Sequence, residues 1–541
     1  MASAVDAATL TIEPLAAAAL ASAVDTATLT IQPPATAIPR ILTRQDVILR
    51  RLLRMLPAII ALTVISSLLW GPVVVPLPFA IFVLSFQAYW LWRALMTGTH
   101  AVKGFFLLRR HTKIDWYQSY ERERAENKDC LDWQRIRHIV VIPNYTESID
   151  KLHLCLDSLT RSEVASQVFA VLAMEEREGE EGRRKAALLQ QEYEGRLGGI
   201  FATFHPAGLP REVPGKASNE TWAAREARLR VVEREGHDLD HVTITSCDVD
   251  TVFHPKYFSC LTYKFATGAQ RYRRFWQGPI FYYNNIWQVP APLRLPHALA
   301  GLTHLARLSR SRLRMVFPQS TYSLSLRMAD EVGYWDPDVI PEDWHMFLKC
   351  FFRLRGEVDV ETMYIPLHMD GARSRSYWGT FFNYYQQARR HAWGCSDIPY
   401  AAEQVVRHPE IPIFRRLSRF WGLTESHILW STQWFMVTMG RVVPQFVASH
   451  LGVDSFPDWF VFVSHWTLTP TLATLLILIF LDTIMRPRRP RDFRLWYWPI
   501  QYAQWFLMAG ITFFSSALPA LDAQIRLALG RGMDYKVMEK A

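Results

Sequence analysis

The chain has 541 residues, enough for one large domain together with several membrane spans, or for about three ordinary soluble domains. Half of the residues are hydrophobic and 21% are charged, so apolar and polar residues must be segregated, which favours the first organisation. The net charge is +9, but the arginines gather beside apolar runs, as in RRLLR (50–54) and RPRRPRDFR (486–494), which argues for anionic lipid and against nucleic acid. The six cysteines form no CxxC pair, which argues against a zinc ribbon and a disulfide framework.

The first 45 residues are rich in Ala, Thr and Pro and contain a near-duplication. ASAVDAATLTIEP (2–14) returns as ASAVDTATLTIQP (21–33). The segment lacks the basic start and apolar block of a signal peptide, and its composition predicts disorder over residues 1–45.

Apolar segments lie on both sides of a polar middle region. Two of them, 55–75 and 79–96, predict a transmembrane hairpin within residues 46–104, and basic residues on both flanks place its ends in the cytoplasm. Three more, at about 426–447, 458–484 and 496–518, predict about three further helices within residues 401–520, followed by a basic tail, 521–541. Arg441 would cost about 2.5–3.5 kcal/mol inside the first of these unless it is paired. Because basic residues lie on both sides of 496–518, either the tail lies outside or one segment lies in the membrane interface.

The polar region, residues 105–400, alternates short apolar strands with helical stretches. HIVVIPNY (138–145), VFAVLAM (168–174) and HVTITSCDVD (241–250) are predicted strands, and residues 183–197 and 218–236 are predicted helices. This alternation predicts an α/β domain with a doubly wound, mostly parallel sheet. Ligands bind such sheets at the carboxyl ends of the strands.

An acidic pair, Asp248 and Asp250, stands at the end of the third predicted strand. Alternation along an extended chain points both carboxylates to one side, where they could hold a hard cation such as Mg²⁺ or Mn²⁺. Such a cation would neutralise charge on a diphosphate as it leaves. The other interpretation is a solvated turn.

A second acidic pair, Glu342 and Asp343, opens an amphipathic helix in IPEDWHMFLKCFF. Acids at a helix start usually cap free N–H groups, whereas a carboxylate beside a metal site could take a proton from an acceptor hydroxyl. The aromatic and basic segment WGTFFNYYQQARRHAWG has two interpretations as well: an interfacial helix, or a clamp in which arginine binds diphosphate and tryptophan faces a sugar ring.

Taken in order, five motifs resemble the signature set of the membrane-bound, synthase-like family-2 glycosyltransferases, which include cellulose, hyaluronan and chitin synthases. They are VVIPNYTES (140–148), GKASN (215–219), CDVD (247–250), VIPEDWH (339–345) and QQARRHAWG (386–394). The resemblance covers residues 138–400 and the layout of the flanking apolar segments.

The resemblance implies a GT-A fold for the cytoplasmic domain, combined with transmembrane helices in the cell membrane. It implies inverting transfer from a nucleotide-sugar donor, UDP-type or related, to a glycan or lipid-linked acceptor. It assigns donor binding to Pro143, Tyr145, Glu147, Lys216, Asp248, Gln387, Arg390 and Trp393, metal binding to Asp250 with Asp248, and catalysis to Asp343 as the base with Glu342 beside it.

Two features depart from the family pattern. Glu175-Glu176 stands where many members have an aspartate pair, and Trp393 comes two residues later after the arginine than in the processive synthases. We therefore expect a single transfer rather than processive polymerisation with secretion. A catalytically silent scaffold or transporter is the alternative outside the enzyme class. WQGPIFYYNN (276–285) and FPQSTYSLSL (317–326) fit either core packing or sugar contacts, and His345 fits either packing or a role at the site.

Overall fold

The computed structural model describes residues 44–127, 129–310, 316–453, 456–490, 499 and 502–533. The predicted disorder of residues 1–45 falls almost wholly outside this description, except that Arg44 and Gln45 begin the first helix. Part of the basic tail, residues 534–541, lies outside it as well.

The centre of the molecule is a seven-stranded sheet with the strand order β3-β2-β1-β4-β8-β6-β9, beside a small sheet with the order β5-β10-β7. The strands are β1 (Arg137–Asn144), β2 (Val168–Glu175), β3 (Gly199–His205), β4 (Val242–Ser246), β5 (Val252–Phe253), β6 (Arg274–Gln277), β7 (Ile280–Phe281), β8 (Tyr322–Ser325), β9 (Asp359–Thr362) and β10 (Leu367–His368). Strands β1 to β4 are parallel, β8 runs antiparallel to both β4 and β6, and β6 and β9 are parallel. The sheet is thus mixed and dominated by parallel pairs.

Helices cover the sheet and extend away from it. In chain order they are α1 (Arg44–Val74), α2 (Pro76–His111), α3 (Trp116–Glu126), α4 (Ile149–Thr160), α5 (Gly179–Tyr193), α6 (Lys216–Arg228), α7 (Tyr257–Thr267), α8 (Ala291–Ser309), α9 (Leu326–Glu331), α10 (Glu342–Arg353), α11 (Tyr377–Ala392), α12 (Asp397–Arg407), α13 (Ile413–Trp434), α14 (Val442–His450), α15 (Trp459–Leu468), α16 (Thr471–Met485), α17 (Met508–Thr512) and α18 (Leu518–Ala528).

Alternate residues of the parallel strands enter two separate hydrophobic cores. Ile139 and Val141 of β1 pack in the core that contains α6 and α10, whereas Val140 and Ile142 pack in the core that contains α4, α5 and α7. Because successive side chains of a strand point to opposite faces, a strand buried on both sides reads as a continuous apolar run. The sheet is therefore covered by helices on both faces, as the sequence predicted.

Three helices in the described part of the chain are long and apolar enough to cross a membrane: 48–74, 76–111 and 459–485, the last spanning α15 and α16. The sequence predicted about five. The segment 426–447 is not one uninterrupted α-helix. After Trp434 the chain continues as a π-helix over Phe435–Met439, and a turn at Gly440 and Arg441 precedes α14.

The third apolar helix runs parallel to α2. Gly98 of α2 packs against Thr474, and Ala101, one turn further along, clusters with Leu478 and Leu481. The basic ends of the two helices, at residues 109–110 and 486, therefore lie on the same side of the molecule. That side carries the α/β domain, since the hydroxyl of Tyr283 donates to Asp482 at 3.3 Å.

The C-terminal helix α18 also contacts the α/β domain. Asp522 accepts hydrogen bonds from Tyr385 at 3.1 Å and from Arg389 at 3.0 Å, both on α11. Both ends of the segment 487–517 thus reach the side of the α/β domain.

Candidate active site

The carboxyl ends of β1 and β4 lie side by side, because the two strands are parallel neighbours with Val141 paired to Ser246. The loop after β4 carries Asp248 and Asp250. Pro143 is the second-last residue of β1, and Tyr145 directly follows the strand. This is the edge at which ligands bind open α/β sheets.

Lys216, the first residue of α6, lies at the centre of a cluster of carboxylates. Its Nζ is 2.7 Å from Asp248 Oδ1, 2.9 Å from Glu342 Oε1 and 3.8 Å from Glu220 Oε1. Burial opposes the charge, but the three carboxylates raise the pKa of Lys216 well above its usual value. Burial raises the pKa of Glu220 to about 8, against the lowering effect of Lys216. The lysine therefore connects its own helix, which also carries Glu220, to acids from two other motifs.

Ser320 joins this cluster to Asp343. Its backbone N–H donates to Asp343 Oδ2 at 3.1 Å, its hydroxyl donates to Asp248 Oδ2, and its carbonyl accepts from Lys216 Nζ at 2.9 Å. A φ of 57° turns the chain so that all three groups face the site. Gln277 at the end of β6 fixes the loop by accepting from Gln319 N at 2.7 Å. Lys216, Asp248 and Asp343, distant in sequence, thus meet around one serine.

Within the described residues, Asp343 is held by backbone N–H groups and forms no ion pair. Besides Ser320 N, the backbone N–H of Trp344 donates to Asp343 Oδ1 at 2.8 Å. Burial and then the charge of Glu342 raise the pKa of Asp343 to about 7, while the two N–H groups and Lys216 oppose the rise. A carboxylate with a pKa near neutrality can accept a proton at physiological pH and release it again.

Asp250 takes partners on the other side of the loop. It is 2% exposed, its Oδ2 accepts from Asp370 N at 3.2 Å, and its carbonyl accepts from Asn284 at 2.9 Å. Asp370 in turn forms an ion pair with Lys151 of α4. Asp248 and Asp250 are therefore held by different neighbours, although they stand only two residues apart.

The carboxylates at the site suit a cation whose coordination is completed by water and substrate phosphates. Within the described residues no three His, Cys, Asp or Glu side chains gather into a protein-only cage. Mg²⁺, however, usually binds through one or two carboxylates, several waters and substrate phosphates. Asp250, buried at the strand edge, fits that description. Asp248 binds Lys216 through one carboxylate oxygen and Ser320 through the other. It is therefore also suited to orient a substrate.

The loop after β1 is closed by its own contacts. The N–H of Tyr145 donates to Glu147 Oε2 at 2.6 Å, and Lys185 donates to the carbonyl of Glu147 at 2.9 Å. The guanidinium of Arg177 lies 4.0 Å from the centre of the Tyr145 ring. Glu175, at the end of β2, lies near Arg177 (3.3 Å), so this acid serves as an ion-pair partner beside the loop.

The clamp motif lies on α11 and the turn after it. Gln387 and Arg390 are partly buried, while the neighbouring Arg389 pairs with Asp522 of α18 at 3.0 Å. Trp393 is 8% exposed and packs in the core with Ala392, so its ring offers little surface to a sugar.

Removing the Ser320 hydroxyl should weaken the site without unfolding the chain. In Ser320→Ala, Asp248 loses a hydrogen bond to a charged group, worth about 1.5–3 kcal/mol. We expect kcat/KM for the sugar donor to fall roughly ten- to hundredfold, measured by release of the nucleotide diphosphate. Ser320→Gly lacks the hydroxyl but tolerates the positive φ, so it should lose as much activity with less loss of stability. Full activity in Ser320→Gly would show that the hydroxyl is not needed.

His345 belongs to a buried charge network behind the site. Its Nδ1 is 2.7 Å from Asp397 of α12 and its Nε2 is 3.1 Å from Asp336. Although burial opposes it, Asp397 and then Asp336 raise the pKa of His345 to about 10. The network connects α10, which begins with Glu342 and Asp343, to α12. His345 therefore has a positioning role and not a role in contact with substrate.

His345→Phe should destabilise the chain by about 3–5 kcal/mol, because Asp397 is then buried without its cation. The folded pKa lies above the usual value of 6.5, so the histidine stabilises the fold fully below pH 6.5 and this contribution is lost as the pH rises through about 10. Thermal unfolding of the unmodified chain should show this decline, and the variant should lack it. His408→Phe, which removes a more exposed histidine paired with Glu410, is the matched control. Equal unfolding curves for both variants would contradict the assignment.

Comparison with known proteins supports the sugar-transfer chemistry that the sequence motifs indicate. The family model described as "Glycosyl transferase family group 2" matches residues 243–508, a range that includes Asp248, Asp250 and Asp343. This match supports a family-2 glycosyltransferase, and hence sugar transfer as the class of activity. No curated protein matches the chain.

Two solved structures show distant likeness. The mannosyltransferase PcManGT from Pyrobaculum calidifontis, in complex with GDP-Man and Mn²⁺, is 13% identical, with a TM-score of 0.41 over 81% of this chain and 100% of that chain. S. aureus TarS 1-349 is 9% identical, with a TM-score of 0.33 over 65% of this chain and 93% of that chain. Both likenesses are too distant to assign a fold or an activity.

Sequence reasoning missed several residues that the structure brings to the site. Glu220 is four residues after Lys216, so its place on the same face of a helix could have been inferred. Ser320 lies in FPQSTYSLSL, a segment whose sequence fits either core packing or sugar contacts and does not single out this serine. Asp370 and Lys151 carry no local motif, and only the fold brings them beside Asp250.

Proposed function

We propose that this chain is a membrane-bound, metal-dependent, inverting glycosyltransferase that transfers a sugar from a nucleotide-sugar donor to a hydroxyl of a glycan or lipid-linked acceptor. The observation that carries the proposal is the meeting of Lys216, Asp248 and Asp343 around Ser320 at the carboxyl edge of the sheet. A GT-A fold and a UDP-type donor are part of the proposal, from the resemblance in the motifs.

The charges at the site suit a donor diphosphate. Lys216 already binds three carboxylates, and a diphosphate can replace part of that negative charge beside it. Asp248 lies next to the lysine and can orient the nucleotide or its sugar. A divalent cation held by Asp250 with Asp248, when bound, would neutralise the leaving diphosphate. Gln387 and Arg390 are the proposed clamp residues on the other side of the donor.

Asp343 is the proposed base. Two backbone N–H groups orient its carboxylate, and Ser320 connects it to Asp248, so donor and acceptor can be brought together at one place. Removal of the acceptor proton by Asp343 and departure of the nucleotide diphosphate form one displacement, which inverts the anomeric carbon. Glu342 stays paired with Lys216 and contributes charge.

The helices support a cytoplasmic position for the α/β domain. The basic residues at the ends of α2 and α16 lie on the same side as this domain, and basic flanks favour the cytoplasm. The domain would then act at the cytoplasmic face of the cell membrane.

A single transfer is favoured over processive synthesis with secretion. The described part of the chain has three helices long enough to span, which is few for a polysaccharide channel. In addition, Trp393 is packed in the core and not open to a sugar chain. The acceptor would accordingly be a lipid or a short glycan at the membrane.

The test is nucleotide-diphosphate release by the purified full-length chain in detergent, with a panel of UDP- and GDP-sugars. We expect one donor to be turned over with Mn²⁺ or Mg²⁺, and turnover to fall at least a hundredfold with EDTA and to return when metal is restored. Turnover that EDTA leaves unchanged would contradict the metal. No turnover of any donor, together with an unchanged cellular phenotype of Asp343→Asn, would favour the silent scaffold.

A further inference from the structure

The short strands β5 and β10 place Asp370 opposite Asp250. In their antiparallel pairing Val252 lies opposite His368, and continuing this register by two residues sets Asp250 opposite Asp370. The backbone N–H of Asp370 donates to Oδ2 of Asp250 at 3.2 Å, while the carbonyl of Asp250 accepts from Asn284 at 2.9 Å. The carboxylate proposed to bind a cation is therefore held at the end of this small ladder.

The backbone on both sides of Asp370 is fixed by further hydrogen bonds. Before it, β10 pairs with β7 as well as with β5. After it, Asn285 exchanges two hydrogen bonds with Gly371, at 2.7 and 2.9 Å. The N–H of Ala372 then donates to Nε2 of His297 at 3.0 Å. The main chain at this position thus has little freedom, and the direction of the Asp370 side chain is what a further contact can set.

Two carboxylates that stand opposite each other in a ladder repel. Like charges directly opposite in an antiparallel pair are destabilising, and water screens Asp250 and Asp370 little, because they are only 2% and 9% exposed. Lys151 of α4 opposes this repulsion by forming an ion pair with the Asp370 carboxylate. The side chain of the lysine is 12% exposed, so the pair is enclosed by protein. Lys151 therefore neutralises Asp370 and turns its carboxylate toward α4.

Helix α4 carries Lys151 to this place from another part of the site. The helix begins directly after the loop that contains Tyr145 and Glu147. Further along, the hydroxyl of Ser158 accepts from the N–H of Phe253 on β5 at 3.0 Å. Helix α4 thus contacts β5 through Ser158 and the end of β10 through Lys151. It thereby connects the loop after β1 to the loop after β4.

We propose that the ion pair between Lys151 and Asp370 positions Asp250 for a divalent cation. By holding residue 370, the pair keeps its N–H directed at the Asp250 carboxylate and so fixes the carboxylate before the donor binds. The inference rests on the proposed function, because it concerns the cation assigned there to Asp250. Groups that orient a metal ligand typically contribute about ten- to a hundredfold to metal affinity. Lys151 and Asp370 are thus positioning residues that act through Asp250.

A simple effect of charge predicts a different result from a positioning role. Lys151 is a cation close to the site of another cation, so its removal would strengthen Mn²⁺ binding if charge alone mattered. Removing the charges of Lys151 and Asp370 together leaves the net charge of the pair at zero, so charge alone predicts no change. The positioning role predicts weaker binding in both cases, because residue 370 is no longer anchored to α4.

The test is a Mn²⁺ titration of the purified full-length chain in detergent, with free Mn²⁺ measured by electron paramagnetic resonance. We expect Lys151→Met and Lys151→Met/Asp370→Asn to bind Mn²⁺ roughly ten- to a hundredfold more weakly than the unmodified chain. Lys151→Arg keeps the charge and can still pair with Asp370, so it should lose less. The matched control is Lys264→Met, which removes a buried lysine paired with Glu361 outside the site and should keep the affinity. In transfer assays, the Mn²⁺ concentration for half-maximal rate should rise in the Lys151 variants by the same factor as the Kd.

The variant Asp250→Asn separates failure of this inference from failure of the proposed function. If it loses Mn²⁺ binding, but Lys151→Met binds Mn²⁺ as tightly as the unmodified chain or more tightly, the positioning role is overturned and the proposed function stands. Unchanged binding in the double variant has the same meaning, and if that variant does not fold, the direction of the effect in Lys151→Met decides. If the unmodified chain binds Mn²⁺ no better than Asp250→Asn, the cation of the proposed function is refuted, and the positioning role is refuted with it.

Discussion

Asp343→Asn is expected to reduce sugar transfer by about 10²- to 10⁴-fold, the range that a general base typically contributes. Asparagine keeps the size of the side chain, but its single carboxamide oxygen can accept from only one of Ser320 N and Trp344 N, because these donate to Oδ2 and Oδ1 of the carboxylate, respectively. It cannot accept the acceptor proton. The measurement is kcat/KM for transfer at saturating metal, with thermal unfolding to show that the fold is retained.

The matched control is the neighbouring acid. Glu342→Gln removes a carboxylate that is 2.9 Å from Lys216 and therefore already neutralised by a cation, so we expect a loss smaller by at least tenfold than that of Asp343→Asn. The reverse order of effects would assign the base to Glu342. Both acids were assigned to catalysis from the motif alone, and this pair of variants separates their roles.

The pH dependence tests the same assignment in the unmodified chain. Burial and Glu342 raise the pKa of Asp343 to about 7, against Lys216 and the N–H groups of Ser320 and Trp344. A base is active when deprotonated, so kcat/KM should fall about tenfold per pH unit below about 7 and level off above it. In Asp343→Asn the small remaining rate should lack this acid limb. An acid limb below pH 5 would indicate a carboxylate of ordinary pKa.

The parallel half of the sheet was the most predictable part of the fold. The strands predicted at 138–145 and 168–174 match β1 and β2 within one residue, because both are buried on two faces and therefore read as unbroken apolar runs. Their order also indicated where the site would be, since the carboxyl ends of parallel neighbours coincide. The acids of that edge could be found for this reason.

The antiparallel strands were not predictable in the same way. Strands β6 and β8 have four residues each, and β8 follows a loop whose hydroxyl-rich sequence suggested several roles. Ser320 gains its importance from a positive φ and from contacts to residues 72 and 104 positions away in the chain. Local periodicity carries no information about contacts of that separation.

Composition alone did not predict the structure of two apolar or aromatic segments. Residues 426–447 are apolar enough to suggest a span, but Arg441 and the break between α13 and α14 divide them. Trp393 lies within a motif that suggested an open ring, yet the turn after α11 directs it into the core. In both places the residue types alone left more than one interpretation open.

Lys216→Met is expected to remove both activity and several kcal/mol of stability. Methionine keeps the length of the side chain, but Glu220, fully buried, and Glu342 and Asp248 beside it then lose their shared cation. Breaking a buried ion pair by removing one partner costs about 3–5 kcal/mol. The donor diphosphate loses its lysine as well, so transfer should fall at least a hundredfold even in protein that remains folded.

Acid should restore part of the stability that Lys216→Met loses. The pKa of Glu220 is already raised to about 8, and the lysine lowers it, so in the variant it should be higher still. A carboxyl group with a raised folded pKa stabilises the fold fully below its unfolded value of 4.5 and loses this contribution as the pH rises through the folded value. The difference in melting temperature between variant and unmodified chain should therefore shrink from pH 8 to pH 5.

Lys264→Met, which removes a buried lysine paired with Glu361 outside the site, should be destabilised and yet keep kcat/KM for the folded fraction. Only Lys216 is surrounded by the carboxylates of the site. If Lys264→Met lost transfer to the same degree, the loss in Lys216→Met would therefore reflect folding alone.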